Sequence, residues 1–187
     1  MAEPLPKGMN ADEFIAWAME QPEGCHYELS GGEVVGMAAE RLGHAIVKGL
    51  VFHRMMEEVK RLGLDCMPLP DGVSVRVSEH TVYEPDAMLR CGPRLPYDVV
   101  TIEDPLVVVE VRSRRTGYRD SGIKLVDYFQ LPSLRHYLIV RVEDKAVIHH
   151  RRQHESADIT TRIVHDGPIQ LDPPGIVLRD IFPADIG

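Results

Sequence analysis

Leu106-Val107-Val108-Val109-Glu110-Val111-Arg112 is the most apolar run in the chain, and an acid sits inside it. A short run this rich in valine fits a strand buried on both faces, at the centre of a sheet. An ionised carboxylate in such a strand is costly unless a cation or strong donors meet it. Side chains alternate along a strand, so Leu106, Val108, Glu110 and Arg112 share one face and Val107, Val109 and Val111 the other. Glu110 and Arg112 then point the same way at the strand's end. An internal ion pair closing the sheet would account for them as well as a functional site.

Upstream, a short strand is expected around Glu84 to Leu89, where Pro85-Asp86 stands at the end of a β-prone segment, with 23 residues between Asp86 and Glu110. Asp after Pro is commonly turn chemistry. Two carboxylates from neighbouring strands can also meet at one point, where a hard divalent cation such as Mg2+ or Mn2+ binds through carboxylate oxygens and water. Downstream, Arg119 to Gln130 reads as a helix closed by Leu131-Pro132. Asp120, Lys124 and Asp127 fall on one stripe of it, while Ile123, Val126 and Phe129 are better placed for the core. Lys124 sits at the border, where a long side chain can bury its stem and extend its ammonium to a cleft. It also lies four residues after Asp120, which by itself describes a surface pair.

The rest of the chain supplies the frame. Asn10 or Asp12 can cap a first helix carrying Phe14, Ile15, Trp17 and Ala18. Tyr27 to Met37, broken by Gly31-Gly32, reads as a hairpin. Arg41 to Leu62 repeats apolar residues at helical steps, and Gly63 stops it. Val73, Val75 and Val77 alternate as a half-buried strand. His136 to Val140 and Ala146 to His150 form a second hairpin around Glu143-Asp144-Lys145. His149-His150-Arg151-Arg152 reads as a basic edge strand that blunts aggregation. Weak strands are expected near Thr160 to Val164 and Ile176 to Leu178. The fold class is therefore α/β, or mixed α+β. One domain over residues 1–187 is expected, with one sheet and helices packed on it.

Composition narrows the function. The chain has 187 residues, is 44% hydrophobic and 27% charged, and carries a formal charge of -8. That is ordinary for a globular protein and excludes a simple basic-patch nucleic-acid binder. Aromatics are 6%, so a stacking platform for single strands is not indicated. Cys25, Cys66 and Cys91 are odd in number and widely spaced, which argues against a disulfide scaffold or zinc ribbon and for the reducing cytoplasm. No run approaches 18 apolar residues, so no membrane partner is expected. The first residues lack the pattern of a signal peptide. H-E-x-x-H, the phosphate loop and the G-x-S-x-G elbow are absent.

Pro85-Asp86 and Glu110-Val111-Arg112 resemble the PD-(D/E)XK nuclease core. More narrowly, the chain resembles the Uma-two family of restriction-endonuclease-like domains. The similar residues are Tyr27-Glu28-Leu29 with Gly31 to Val35, His44, Pro85-Asp86, Val109-Glu110-Val111, Ser113, Asp120, Lys124 and Tyr128, and a closing segment around Gly175-Ile176 and Asp180 to Phe182. The resemblance implies a restriction-endonuclease-like core, a mixed central sheet flanked by helices. It implies Mg2+- or Mn2+-dependent cleavage of DNA and a homodimer. By position it makes Asp86 and Glu110 metal ligands, Glu28 an additional acid, Lys124 the active-site lysine and His44 a cleft residue. Arg112 stands at the position of the motif's basic residue, and a guanidinium there can only clamp charge. Ser113-Arg114-Arg115-Thr116 adds local positive charge. DNA association is expected to be weak and salt-dependent. A catalytically inactive nuclease-fold domain that binds a partner or nucleic acid is the alternative. Because two adjacent carboxylates repel each other, Ala at position 86 or 110 is expected to leave the fold intact.

Overall fold

The computed structural model describes residues 5–112, 118–153, 158–165 and 167–183, with the side chains of 118–121 excepted. The segment Ser113 to Thr116 and the side chain of Asp120 lie outside the described residues. Helix α1 (Ala11–Met19) begins at Asn10, whose side chain accepts from the Glu13 N–H while the Glu13 carboxylate accepts from the Asn10 N–H. The exchange satisfies two donors that a helix start leaves open. Strands β1 (Tyr27–Ser30) and β2 (Glu33–Gly36) make the expected hairpin. Gly31 and Gly32 turn it at φ 57° and 85°, values that favour glycine. Helix α2 (Leu42–Leu62) buries Val47, Val51 and Met55 and stops at the left-handed Gly63.

Then come β3 (Cys66–Pro70), β4 (Ser74–Ser78), β5 (Thr81–Tyr83), β6 (Ala87–Cys91), β7 (Thr101–Ile102) and β8 (Val107–Arg112). They are followed by α3 (Tyr118–Tyr128), β9 (His136–Arg141), β10 (Ala146–Arg152), β11 (Ile159–Val164), β12 (Ile169–Leu171) and β13 (Ile176–Leu178). Among the described residues these strands form three sheets where one was expected. Their orders are β2-β1-β5-β4-β7, β11-β10-β9-β8-β6-β3 and β12-β13. The split has a local cause. The segment from Glu84 to Leu89 is not one strand: β5 ends before Glu84-Pro85-Asp86, and β6 starts after it in the other sheet. Pro85 has no N–H to offer a ladder, so the chain changes sheets there.

The central strand is β8, antiparallel to β6 and parallel to β9. A parallel pair needs a crossover, and α3 provides it. Val107, Val109 and Val111 pack with the α2 residues Val47, Val51 and Met55. Val108 packs on the other side with Tyr83, Tyr128, Leu134 and Tyr137. Leu106, just outside the strand, joins the α2 side rather than the face of Glu110. Each such buried valine contributes about 1.5–3 kcal/mol, so the two packed faces hold the Glu110 backbone firmly.

Two expectations are corrected here. The strand of His149 to Arg152 is not an edge: β10 pairs with both β9 and β11, and β11 is the outer strand. Its His149 meets His136 of β9. His136 Nε2 lies 2.9 Å from the Pro173 carbonyl and its Nδ1 lies 2.9 Å from His149 Nε2. A carbonyl only accepts, so a neutral His136 carries its proton on Nε2 and accepts from His149 through Nδ1. Second, Cys66 and Cys91 face each other across β3 and β6 as a disulfide, while Cys25 is free and exposed. Cys66 and Cys91 are 25 residues apart, so only the strand register reveals the pair, and the cysteines no longer argue for a reducing compartment.

Burial pushes His136 down to about 3, and His149 adds to the effect; burial likewise pushes His149 down to about 4. Both histidines therefore stay neutral in the fold while the unfolded chain takes up protons below about pH 6.5. Stability is expected to fall as the pH drops from 6.5 toward 4, by up to about 1.4 kcal/mol per pH unit for each histidine. Urea denaturation across that range should show a shallower slope for His149→Gln than for the wild type.

Candidate active site

At the C-terminal end of β8, Glu110 is buried at 3% exposure on the α3 side of the sheet. Lys124, from α3, is buried at 2% and donates to Glu110 Oε1 at 3.0 Å. The same ammonium donates to Glu28 Oε1 at 2.7 Å. The Tyr128 hydroxyl, one turn further along α3, also donates to Glu110 Oε1, at 3.1 Å. Arg112 Nη2 holds the other oxygen, Oε2, at 2.9 Å. The alternation of β8 thus places Glu110 and Arg112 together as its sequence implies. Tyr83 completes the pocket: its ring centroid is 4.8 Å from Lys124 Nζ, and its hydroxyl donates to Asp127 Oδ2 at 2.6 Å.

Lys124 is not at a border. It is inside, and the aliphatic residues expected in the core, Ile123 and Val126, are 49% and 66% exposed. The energies explain this orientation. Burying two aliphatic side chains gains about 1.5–3 kcal/mol each. Leaving two carboxylates buried without a cation costs more, several kcal/mol for each ion. The helix therefore turns Lys124 and Tyr128 toward the sheet.

Asp86 grips the backbone on both sides of Glu110. Its N–H donates to the Val109 carbonyl at 3.0 Å, and its Oδ2 accepts from the Val111 N–H at 2.5 Å. Its Oδ1 is 3.2 Å from Lys48 Nζ on α2. Glu28, from β1, accepts the Glu84 N–H at 3.0 Å and so anchors the crossing segment Glu84-Pro85-Asp86 to the other sheet. His44 lies half-buried in the first turn of α2, with no described hydrogen bond or ion pair to Glu28, Asp86, Glu110 or Lys124. Lys48 escapes the sequence reading. It follows Val47 on the buried stripe of α2, and its partners Glu40, Asp71 and Asp86 are scattered along the chain.

The electrostatics separate the three acids. Burial first, and then the Glu110 charge, push Asp86 up to about 6. Burial, joined by the Glu110 charge, also raises Glu28 against the pull of Lys124. Burial would raise Glu110 too, but Lys124 and Arg112 outweigh it and hold the carboxyl below its usual range. Burial opposes charge on Lys124, yet Glu110 and Glu28 keep it protonated. Lys124 thus stands as a charged donor to both carboxylates.

The donor chemistry suits a hard cation. Asp86 and Glu110 offer carboxylate oxygens, and each raises the cost of ionising the other, which a shared cation would relieve. Among the described residues no group of three or more His, Cys, Asp or Glu side chains is arranged to hold a metal. A cation would then rest on two carboxylates and complete its shell with water or phosphate, as Mg2+ commonly does.

The mixed sheets and their helices form a restriction-endonuclease-like fold. A crystal structure from Anabaena variabilis, described as a putative nuclease belonging to DUF820, matches 88% of this chain and 90% of its own. The TM-score is 0.71 at 13% identity, so the likeness is one of fold. The chain belongs to the Uma2 family, described as "Putative restriction endonuclease", whose model matches residues 11–180. An uncharacterized protein of Synechocystis sp. is 27% identical over 138 residues, 73% of this chain and 70% of that protein.

Proposed function

We propose that this chain is a divalent-metal-dependent endonuclease that hydrolyses phosphodiester bonds in DNA. The observation that supports this most is Lys124, a buried ammonium shared by Glu28 and Glu110 within one strand's reach of Asp86. Asp86 and Glu110 would hold Mg2+ or Mn2+, which when bound activates water and stabilises charge on the scissile phosphate. Lys124, protonated throughout the neutral range, orients a nucleophilic water by donating to it. Glu28 fixes the ammonium by its 2.7 Å contact. Tyr128 fixes the Glu110 carboxylate. Arg112 offers a planar fork for phosphate oxygens. His44, without a described tie to these groups, is proposed only as a residue of the cleft wall. The cytoplasm, where DNA lies, is the proposed compartment, and a homodimer the proposed assembly.

One observation favours a second reading. Asp86 has Lys48, and Glu110 has Lys124 and Arg112, so each acid already faces a cation. A nuclease fold that binds a partner without cleaving it would also keep such pairs. Supercoiled plasmid incubated with Mg2+ or Mn2+, with and without a chelator, separates the two. Metal-dependent nicking supports the enzyme, and intact plasmid at high protein concentration supports the binding module.

Arg112 and Lys124 should separate in kinetics. Under saturating DNA, Arg112→Ala is expected to keep most of the turnover while binding weakens. A chain of charge -8 is repelled by phosphate overall, so this binding should also fall steeply with salt. Fluorescence anisotropy at two salt concentrations, beside single-turnover cleavage, checks both.

A further inference from the structure

Lys48 sits one residue past Val47 on α2, on the shoulder of the buried stripe Val47, Val51 and Met55, with its side chain only 14% exposed. Its ammonium meets three acids: Asp71 Oδ2 at 2.7 Å, Glu40 Oε1 at 3.0 Å and Asp86 Oδ1 at 3.2 Å. An ammonium has three hydrogens to donate and accepts none, so these partners saturate it. The four residues line a pocket of about 170 Å³ together with Phe52 and Pro70. Within it, Asp86 is asymmetric. Oδ2 is tied to the Val111 N–H, and Oδ1 is the oxygen held by Lys48.

We propose that Lys48 is a positioning residue that competes with a divalent cation for Asp86 Oδ1, with Glu40 and Asp71 receiving its ammonium when the cation takes that oxygen. The inference rests on Asp86 being a metal ligand. A dication on Oδ1 would lie close to the Lys48 charge, and like charges at that separation repel strongly in a partly buried site. The contact to Asp86 is the longest of the three, so it is the one most easily given up, and the other two keep the ammonium from drifting into solvent. Two lysines thus flank the acids from opposite layers. Lys124 of α3 is locked on Glu110 and Glu28, while Lys48 of α2 is exchangeable.

Mn2+ titrated calorimetrically into the full chain tests this without reference to cleavage. Lys48→Met is expected to bind Mn2+ about tenfold tighter, since one charge-assisted contact no longer has to be broken. Lys48→Arg, which keeps the charge, should bind like the wild type or more weakly. The double variant Glu40→Gln with Asp71→Asn should bind several-fold more weakly, because Lys48 then concentrates on Asp86. That pair should have no further effect in a Lys48→Met background. Unchanged affinity in Lys48→Met, or equal weakening by the pair in both backgrounds, overturns the proposal. The second result would mark Glu40 and Asp71 as cation-attracting acids in their own right. Asp86→Asn distinguishes the two levels. If it binds Mn2+ as the wild type does, the metal reading fails and Lys48 has no such role. If it loses Mn2+ while Lys48→Met is unchanged, the competition alone is wrong.

Discussion

Lys124→Met is expected to cost about 3–5 kcal/mol of stability at neutral pH and to abolish cleavage. The side chain keeps its length and apolar stem, so packing is largely preserved. What disappears is the shared cation of Glu28 and Glu110, leaving two buried carboxylates to face each other. The pH dependence gives the signature. In the wild type, Glu110 is held below its usual range, so its contribution is present above about pH 4.5 and is lost as the pH falls through its lowered value. In Lys124→Met, burial and Glu28 raise Glu110 instead. A raised carboxyl destabilises above about pH 4.5, and the penalty is relieved on acidification. Chemical denaturation at pH 7 and pH 5 should therefore show the deficit shrinking at the lower pH. A deficit that is equal at both values would mean that packing, not charge, makes Lys124 important.

Glu110→Ala is expected to destabilise by a similar 3–5 kcal/mol. This reverses the expectation drawn from carboxylate repulsion alone. Asp86 and Glu110 do repel, and with burial this raises the Asp86 carboxyl. But Glu110 also accepts from Lys124 and Tyr128 and pairs with Arg112, and removing it takes a partner from each of them in a buried site. The loss of that compensating charge and of a buried acceptor outweighs the relief of one repulsion. Glu110→Gln retains an acceptor oxygen of the same shape and should lose less stability, while losing cleavage just as completely. Asp86→Asn is the milder case, because a raised carboxyl already favours the neutral form. Thermal melts of the three variants beside the wild type check this order.

The contrast between Lys124 and Glu110 shows what the residues disclosed and what they concealed. The run around Glu110 announces itself: a charge among valines must be answered, and the alternation of the strand already puts Arg112 beside it. The Gly31-Gly32 turn is equally legible, and the first helix's cap is narrowed to Asn10 or Asp12, because each depends on residues close in the chain. Lys124 is different. The periodicity of α3 favours burying Ile123 and Val126, and only the unmet charges of Glu28 and Glu110 turn the helix the other way. Those charges arrive from strands 96 and 14 residues away in sequence. Lys48 is concealed for the same reason, since its three acids converge only when the loop carrying Glu40, the turn at Asp71 and the crossing segment before β6 come together. The interior position of β10 and the Cys66–Cys91 bond depend on strand order, which local patterning does not encode.

A crystal of the protein soaked in Mn2+, with anomalous scattering collected at the manganese edge, tests the central claim most directly. A single strong peak is expected beside Asp86 and Glu110, with carboxylate oxygens from both at about 2.0–2.6 Å. The same soak of Asp86→Asn should show no peak there. Clear density for Glu110 still paired with Lys124 and Arg112, Asp86 still on Lys48 and no peak at saturating Mn2+ would contradict the metal centre and leave the fold as a binding module.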